Sequence, residues 1–462
     1  MASIEKRSDT TYRLTVSSGY DTSGKKIRHR KTIELPDGLT ERQIEKELQK
    51  QAALFEREVE NGTYLDGEKI TFGEFAQKWL TDYAEKQLAP KTLFRYKLLL
   101  ERITPAIGHI RLSKLQPHHL VEFYNNLAEG GIRFDYKYKA GETTIPLLEA
   151  KKQDIATQAG LNVRTIGEII RGGVTTSGTA AKISEILKLP LEKTFVPIDA
   201  GKGLSAKTIL HHHRLISSIL HTAVQWELIP SNPTERVKPP KVDKKEAAHY
   251  DDDMVLQMFR LLSHEPLKYQ SAIYIALYGG LRLGEVTGLN WSDIDFDKNT
   301  LNITKTSQYL PEMGIFEGPT KTAKSVRKIV MSEAAMQVLK LYRLEQQEER
   351  LKLGNQWIDS GKIFVQWNGQ PMFPSTPSSW FNKWLKKSEL PALTFHQLRH
   401  TNASLLISQG VDIATVSKRL GHAKISTTTD IYTHSIEKYD TEAALTLENL
   451  LQDNRQGQTL QK

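Results

Sequence analysis

Apolar positions change their spacing several times along the chain, and each change predicts a new folding unit. Near the N-terminus Tyr12, Leu14 and Val16 alternate with Arg13 and Thr15, the two-residue period of a strand with one buried face. A polar turn, Asp21-Thr22-Ser23-Gly24, leads to a second strand over residues 27–33, whose alternation sets Arg28 and Arg30 on one face. Thr40 then caps a helix carried by Ile44, Leu48, Leu54 and Phe55, with Asn61-Gly62 at its end. Phe72, Phe75, Trp79, Leu80 and Tyr83 form a helical stripe that reads as core. Further helices begin at Pro90 and Pro117, and another runs through Ile216, Ile219, Leu220 and Trp226 before Pro230-Ser231-Asn232-Pro233 stops it.

Between Gly130 and Gly203 the pattern breaks. Residues 153–166 read as helix, glycine turn, helix: Ala156 is small enough for close approach, Gly160 permits the turn, and Ile155, Val163 and Ile166 bury the joint. Residues 179–187 and 189–195 follow as further helices. Beyond the proline and lysine linker Pro239-Pro240-Lys241 lies an almost wholly apolar helix at 271–281, then strands at 301–303 and 325–331. Thr394 caps a helix that Gly410 stops, and Asp412 opens another that ends at Gly421. A short helix around Tyr432 and a leucine-rich amphipathic one at 441–451 complete the pattern.

Composition narrows the function classes only a little. At 462 residues the chain has room for about three domains, and a net charge of +9 leans toward an anionic partner. The absence of cysteine excludes disulfides, thiolate zinc and cysteine nucleophiles. With neither a membrane-length apolar run nor a secretory signal, a soluble, cytoplasmic protein is expected.

The chemistry concentrates near the C-terminus. His396 and Arg399 stand three apart on one helix face, His422 follows the helix-ending Gly421, and Tyr432 lies ten residues further on. Imidazole, guanidinium, imidazole and phenol together suit a phosphate. Upstream, Arg282 sits in GGLRLGE and Lys321 in GPTKTAKSVR, with Lys324 a rival for the lysine's part. In order and spacing the set resembles the signature of the tyrosine recombinases, the phage-integrase family.

That resemblance implies a multidomain, mainly α protein with small β-sheets. Residues 1–64 would be a β-sheet/α domain, a three-stranded sheet plus helix, binding arm-type DNA through Arg28 and Arg30. Residues 70–240 would be a SAM-like helical core-binding domain, touching phosphates through Lys91, Arg95, Lys207 and His211. Residues 246–462 would be a mixed α+β catalytic domain. The insertion at 133–202 departs from the family pattern and resembles a Cro/repressor-type helix-turn-helix module, with Arg164 and Thr165 beginning its recognition helix.

In the implied reaction Arg282 and Arg399 hold the phosphate oxygens and His396 and His422 add hydrogen bonds. Tyr432 is the nucleophile and Lys321 the general acid. Glu285 orients or neutralises Arg282. No cofactor is required, neither metal nor ATP. The implied partners are double-stranded DNA at core and arm sites, further copies of the chain (a dimer on a core site, a tetramer in synapsis), an excisionase and a DNA-bending host factor, within the nucleoid of a bacterial cell. Two other readings stay open: a type IB topoisomerase or telomere-resolving enzyme, and a DNA-binding regulator with a vestigial recombinase domain.

Overall fold

The computed structural model describes residues 2–8, 10–20, 26–36, 38–60, 69–129, 137–198, 203–243, 248–320, 325–422, 424–426 and 428–429. Two units divide the chain, residues 1–243 and 244–462.

The first unit opens with an antiparallel meander of Ser3–Lys6, Thr11–Tyr20 and Lys26–Glu34. Leu14 and Val16 turn inward onto Ala52, Phe55 and Val59 of the Glu41–Glu60 helix. The register sets Arg28 opposite Ser17, Arg30 opposite Thr15 and Arg13 opposite Thr32, so all of these lie on the other face.

The next helices are Phe72–Trp79, Pro90–Ile107, Pro117–Glu129 and Ala206–Gln225. A capping box fixes the first: the Glu74 amide donates to the Thr71 hydroxyl at 3.3 Å, and the Thr71 amide donates to the Glu74 carboxylate at 2.9 Å. The aromatic stripe is core, as its period predicted. Phe72, Phe75 and Trp79 are buried with Ile103, Leu120, Phe123, Leu215 and Ile219. The Trp79 indole donates to Thr222 at 3.0 Å, closing the bundle across the intervening chain.

Residues 137–198 form a body with its own core of Leu148, Ile155, Ala156, Ile166, Ile169, Ala180, Ile183 and Phe195. Lys152–Ala159 and Val163–Ile170 are the expected helix pair, and Gly160 between them adopts the left-handed conformation (φ 64°). Two expectations need correction. Helix was predicted over 189–195, but only Leu191–Thr194 is helical, because Pro190 precedes it and Phe195 enters a strand. A small sheet, Thr175–Thr176 and Phe195–Pro197 on either side of Lys137–Ala140, was not anticipated; its strands are too short to show a period.

In the second unit the nearly all-apolar helix Leu267–Gly279 is central, packed by Glu333–Leu353, Thr376–Lys387 and Phe395–Ser408. Arg327–Val330 pairs with Thr300–Ile303 as expected, but the chain between them also makes a hairpin, Lys305–Leu310 with Gly314–Pro319. Its faces mix polar and apolar residues on both sides, so it has no alternation to read. The expected helices around Tyr432 and at 441–451 fall outside the described residues.

Candidate active site

The site is built where the central helix ends. Gly280 caps Leu267–Gly279 in the left-handed conformation (φ 61°), and a Cβ there would lie 2.5 Å from Leu420 Cδ2 and 2.9 Å from Asn402 Oδ1. Glycine is required on both counts. The freed carbonyls at this terminus take cationic and amide donors: Arg419 gives to Tyr278 O at 2.8 Å, Asn402 to Tyr278 O at 3.3 Å, and Arg399 to Gly280 O at 2.7 Å. Arg399, only 3% exposed, is thus fastened to the turn that delivers Arg282.

Arg282 stands at the N-cap of the short Leu283–Gly288 helix. Its backbone amide donates to Glu285 Oε2 at 2.9 Å and its guanidinium to Glu285 Oε1 at 2.9 Å. Glu285 is 1% exposed and also accepts from Arg327, at 3.0 Å on Oε2 and 3.3 Å on Oε1. Burial works against the carboxylate's charge, but the hydrogen bonds and charges of Arg327 and Arg282 outweigh it and hold its pKa below the ordinary value. Glu285 was expected to orient or neutralise Arg282. The contact with Arg282 is there, and half of the carboxylate's bonds go to a second arginine.

His396 and Arg399 share one face of the Phe395–Ser408 helix, whose start is held by the Thr394 amide donating to Gln397 Oε1 at 2.7 Å. His396 opens to solvent on one side. Desolvation on the other, then the charges of Arg399 and Arg282, push its pKa down. His422, half-buried after Gly421, shares a 2.8 Å hydrogen bond between Nδ1 and the Thr428 hydroxyl. Desolvation, followed by Arg399, Arg282, His400 and Arg327, takes it to about 4. Each imidazole therefore feels both arginines, which brings Arg282, His396, Arg399 and His422 within electrostatic reach of one another. Lys321, its rival Lys324, and Tyr432 lie outside the described residues.

Two neighbours were missed in the sequence. Arg327 closes the far side of Glu285, and nothing in the strand Arg327–Val330 marks it out. His400 packs edge-on against His396 with ring centroids 5.2 Å apart, and desolvation with nearby positive groups takes it to about 4. It lies one turn beyond His396 on the same helix, so the four-residue spacing was the signal that could have found it.

The expected DNA contacts divide by region. Lys91, Arg95 and Lys207 are exposed, and Arg95 and Lys207 both help to lower the pKa of partly desolvated His211. Arg214, not anticipated, joins that basic face. Arg28 and Arg30 are exposed on the sheet. Arg164 is exposed beside Glu168 at 3.3 Å, while Thr165 is half-buried. The Asn162 side chain accepts from the Arg164 amide at 2.8 Å as the helix N-cap.

Comparison with known proteins points the same way. The model described as "Phage integrase family" matches residues 250–438, and "Phage integrase, N-terminal SAM-like domain" matches residues 71–128. A tyrosine recombinase XerC-like protein of Caldanaerobacter subterraneus subsp. tengcongensis is 26% identical over 453 residues, covering 95% of this chain and 96% of its own. A tyrosine recombinase of Thermosipho africanus is 31% identical over 245 residues, 52% of this chain and 76% of its own. In fold, the Tn1549 transposon integrase bound to transposon right end DNA aligns with a TM-score of 0.55, covering 81% of this chain and all of that one at 17% identity. With two arginines and two histidines gathered at the end of one helix and these matches beside them, the chain belongs to the tyrosine recombinases of the phage-integrase family, enzymes that cleave and rejoin DNA.

Proposed function

We propose that this chain is the integrase of a temperate phage or integrative element, acting on DNA in the bacterial cytoplasm. The observation that carries the reading is the convergence of Arg282, Arg399, His396 and His422. Attack on a phosphodiester adds charge to oxygens that are already anionic. Two guanidiniums answer that geometrically, with forked donors that stay protonated at any working pH. His396, whose pKa burial and the neighbouring arginines lower, is suited to accept the phenolic proton of Tyr432.

The Tyr432 oxygen attacks phosphorus, a 3′-phosphotyrosine forms, and the bond to the 5′ oxygen breaks as Lys321 protonates that oxygen. A 5′ hydroxyl from a partner strand then attacks the phosphotyrosine and restores the phenol. The intermediate keeps the phosphodiester's energy, so religation needs no ATP. The implied assembly is a dimer on a core site and a tetramer in synapsis. The sheet bearing Arg28 and Arg30 would hold arm sites, while an excisionase and a DNA-bending factor would set direction.

A nicked suicide duplex tests the chemistry. Wild type is expected to leave a denaturant-stable protein–DNA adduct, and Tyr432→Phe to bind the duplex without one. No adduct from the wild type would favour a regulator, and relaxation of plasmid lacking any core site would favour a topoisomerase.

For the insertion we propose a separate duplex contact. The Val163–Ile170 helix has Arg164 exposed in its first turn and Arg171 exposed just past its end, so both would reach DNA with the helix laid in a major groove. Arg164→Ala should weaken binding to duplexes selected with the wild-type protein and leave core-site cleavage at the wild-type rate. Equal binding by the variant to every duplex selected with the wild-type protein would contradict this.

A further inference from the structure

We propose that Arg327 is a positioning residue for strand cleavage, holding Glu285 so that the Arg282 guanidinium faces the scissile phosphate. The inference rests on the active-site reading given above.

Arg327 opens the strand Arg327–Val330, and its side chain is only 6% exposed. It donates to acceptors on three separate segments: both oxygens of Glu285, the Arg419 carbonyl at 2.7 Å, and the Ser325 carbonyl at 3.0 Å. Arg419 belongs to the Ile413–Leu420 helix, which ends at Gly421, and a Cβ on Gly421 would lie 3.1 Å from Arg327 Nη1 and 3.2 Å from its Cδ. The guanidinium is therefore wedged between the carboxylate that anchors Arg282 and the glycine that presents His422. The strand that carries it starts six residues after Lys321. One planar fork serves Glu285 and both carbonyls, which a lysine ammonium cannot do.

The balance of charge gives Arg327 its role. Glu285 is a buried acceptor between two arginines. While Arg327 donates to one acceptor position on each carboxylate oxygen, Arg282 donates one backbone and one side-chain hydrogen to the rest, and its remaining guanidinium hydrogens stay available to an anion. Without Arg327 the buried carboxylate is left with a single cation, and the favourable response is a fuller pairing with Arg282. That draws the guanidinium away from the phosphate. The same carboxylate that positions Arg282 becomes its inhibitor.

The test uses the full chain and the nicked suicide duplex, reading cleavage rate, duplex affinity and thermal unfolding separately. Arg327→Met should slow cleavage by about 10- to 100-fold, the loss typical when the partner orienting a reactive group is removed, with duplex affinity within about 2-fold of wild type by the same argument. Adding Glu285→Gln removes the unbalanced charge, so the double variant should cleave several-fold faster than Arg327→Met alone. A merely structural arginine would give no such recovery.

Should Arg327→Met fail to fold, Arg327→Lys keeps the charge and nearly the length. It should cleave more slowly than wild type at unchanged duplex affinity. Wild-type cleavage by Arg327→Lys or Arg327→Met, affinity falling in step with rate, or a double variant no faster than Arg327→Met, overturns the proposal. Arg282→Ala separates the two levels. If that variant cleaves normally the active-site reading has failed. If it is inactive while Arg327→Met is normal, only the role of Arg327 has.

Discussion

At the scale of single residues, burial and then the charges of Arg399 and Arg282 depress the pKa of both His396 and His422 in the free protein. The sign of their coupling to DNA follows. A bound phosphodiester stabilises the imidazolium and raises both pKa values, so binding takes up protons wherever pH lies between the free and bound values. Affinity for a core duplex should therefore rise as pH falls from neutrality toward the free value of about 4 for His422. His422→Asn should flatten that rise, measured by fluorescence anisotropy across the range. Folding stability moves the opposite way. His400 and His422 sit at about 4 when folded, below the ordinary imidazole value of 6.5, so the unfolded chain binds more protons between those limits. Stability should be full above about pH 6.5 and decline as pH drops toward 4. Calorimetric melting at stepped pH checks it, and a melting temperature unchanged down to pH 4.5 would contradict it.

At the scale of elements, the site depends on how one helix stops. Gly280 lets the chain leave Leu267–Gly279 in a conformation costing an L-residue roughly 1–2 kcal/mol, and the space its Cβ would need is held by Leu420 and Asn402. Gly280→Ala should displace the carbonyl that anchors Arg399. Cleavage should fall by ~10²-fold or more, the scale set by losing one donor to the developing charge. Suicide-duplex rates measured beside the melting temperature will separate this from simple unfolding. The turn itself was readable in the Gly279-Gly280 pair, and the helix from its apolar run. Which carbonyls Arg399 and Arg419 would cap was not readable, since those partners lie more than a hundred residues away.

At the scale of the whole molecule, the insertion is attached in a way that makes it separable. Its two ends meet: the Ile198 amide donates to the Lys137 carbonyl at 2.8 Å, and in the surrounding bundle the Leu204 amide donates to the Leu127 carbonyl at 2.7 Å. An element joined through adjacent crossings adds little strain to its host. Replacing residues 131–202 with a short glycine–serine linker should leave the bundle folded, with Trp79 still buried against Thr222, and core-duplex cleavage within a few-fold of the full chain. Loss of the protected tryptophan fluorescence would show that the bundle needs the insertion.

Local pattern settled much of this protein without coordinates. Strand alternation put Arg28 and Arg30 together, helical period buried Phe72, Phe75 and Trp79, and motif spacing singled out Arg282, His396, Arg399 and His422. These are statements about neighbours along the chain, where covalent geometry decides which side chains share a face. Only the tertiary structure could decide that Glu285 serves two arginines and that Arg327 links three segments. Those outcomes depend on close packing among distant segments, where a buried carboxylate takes whichever donors the fold delivers.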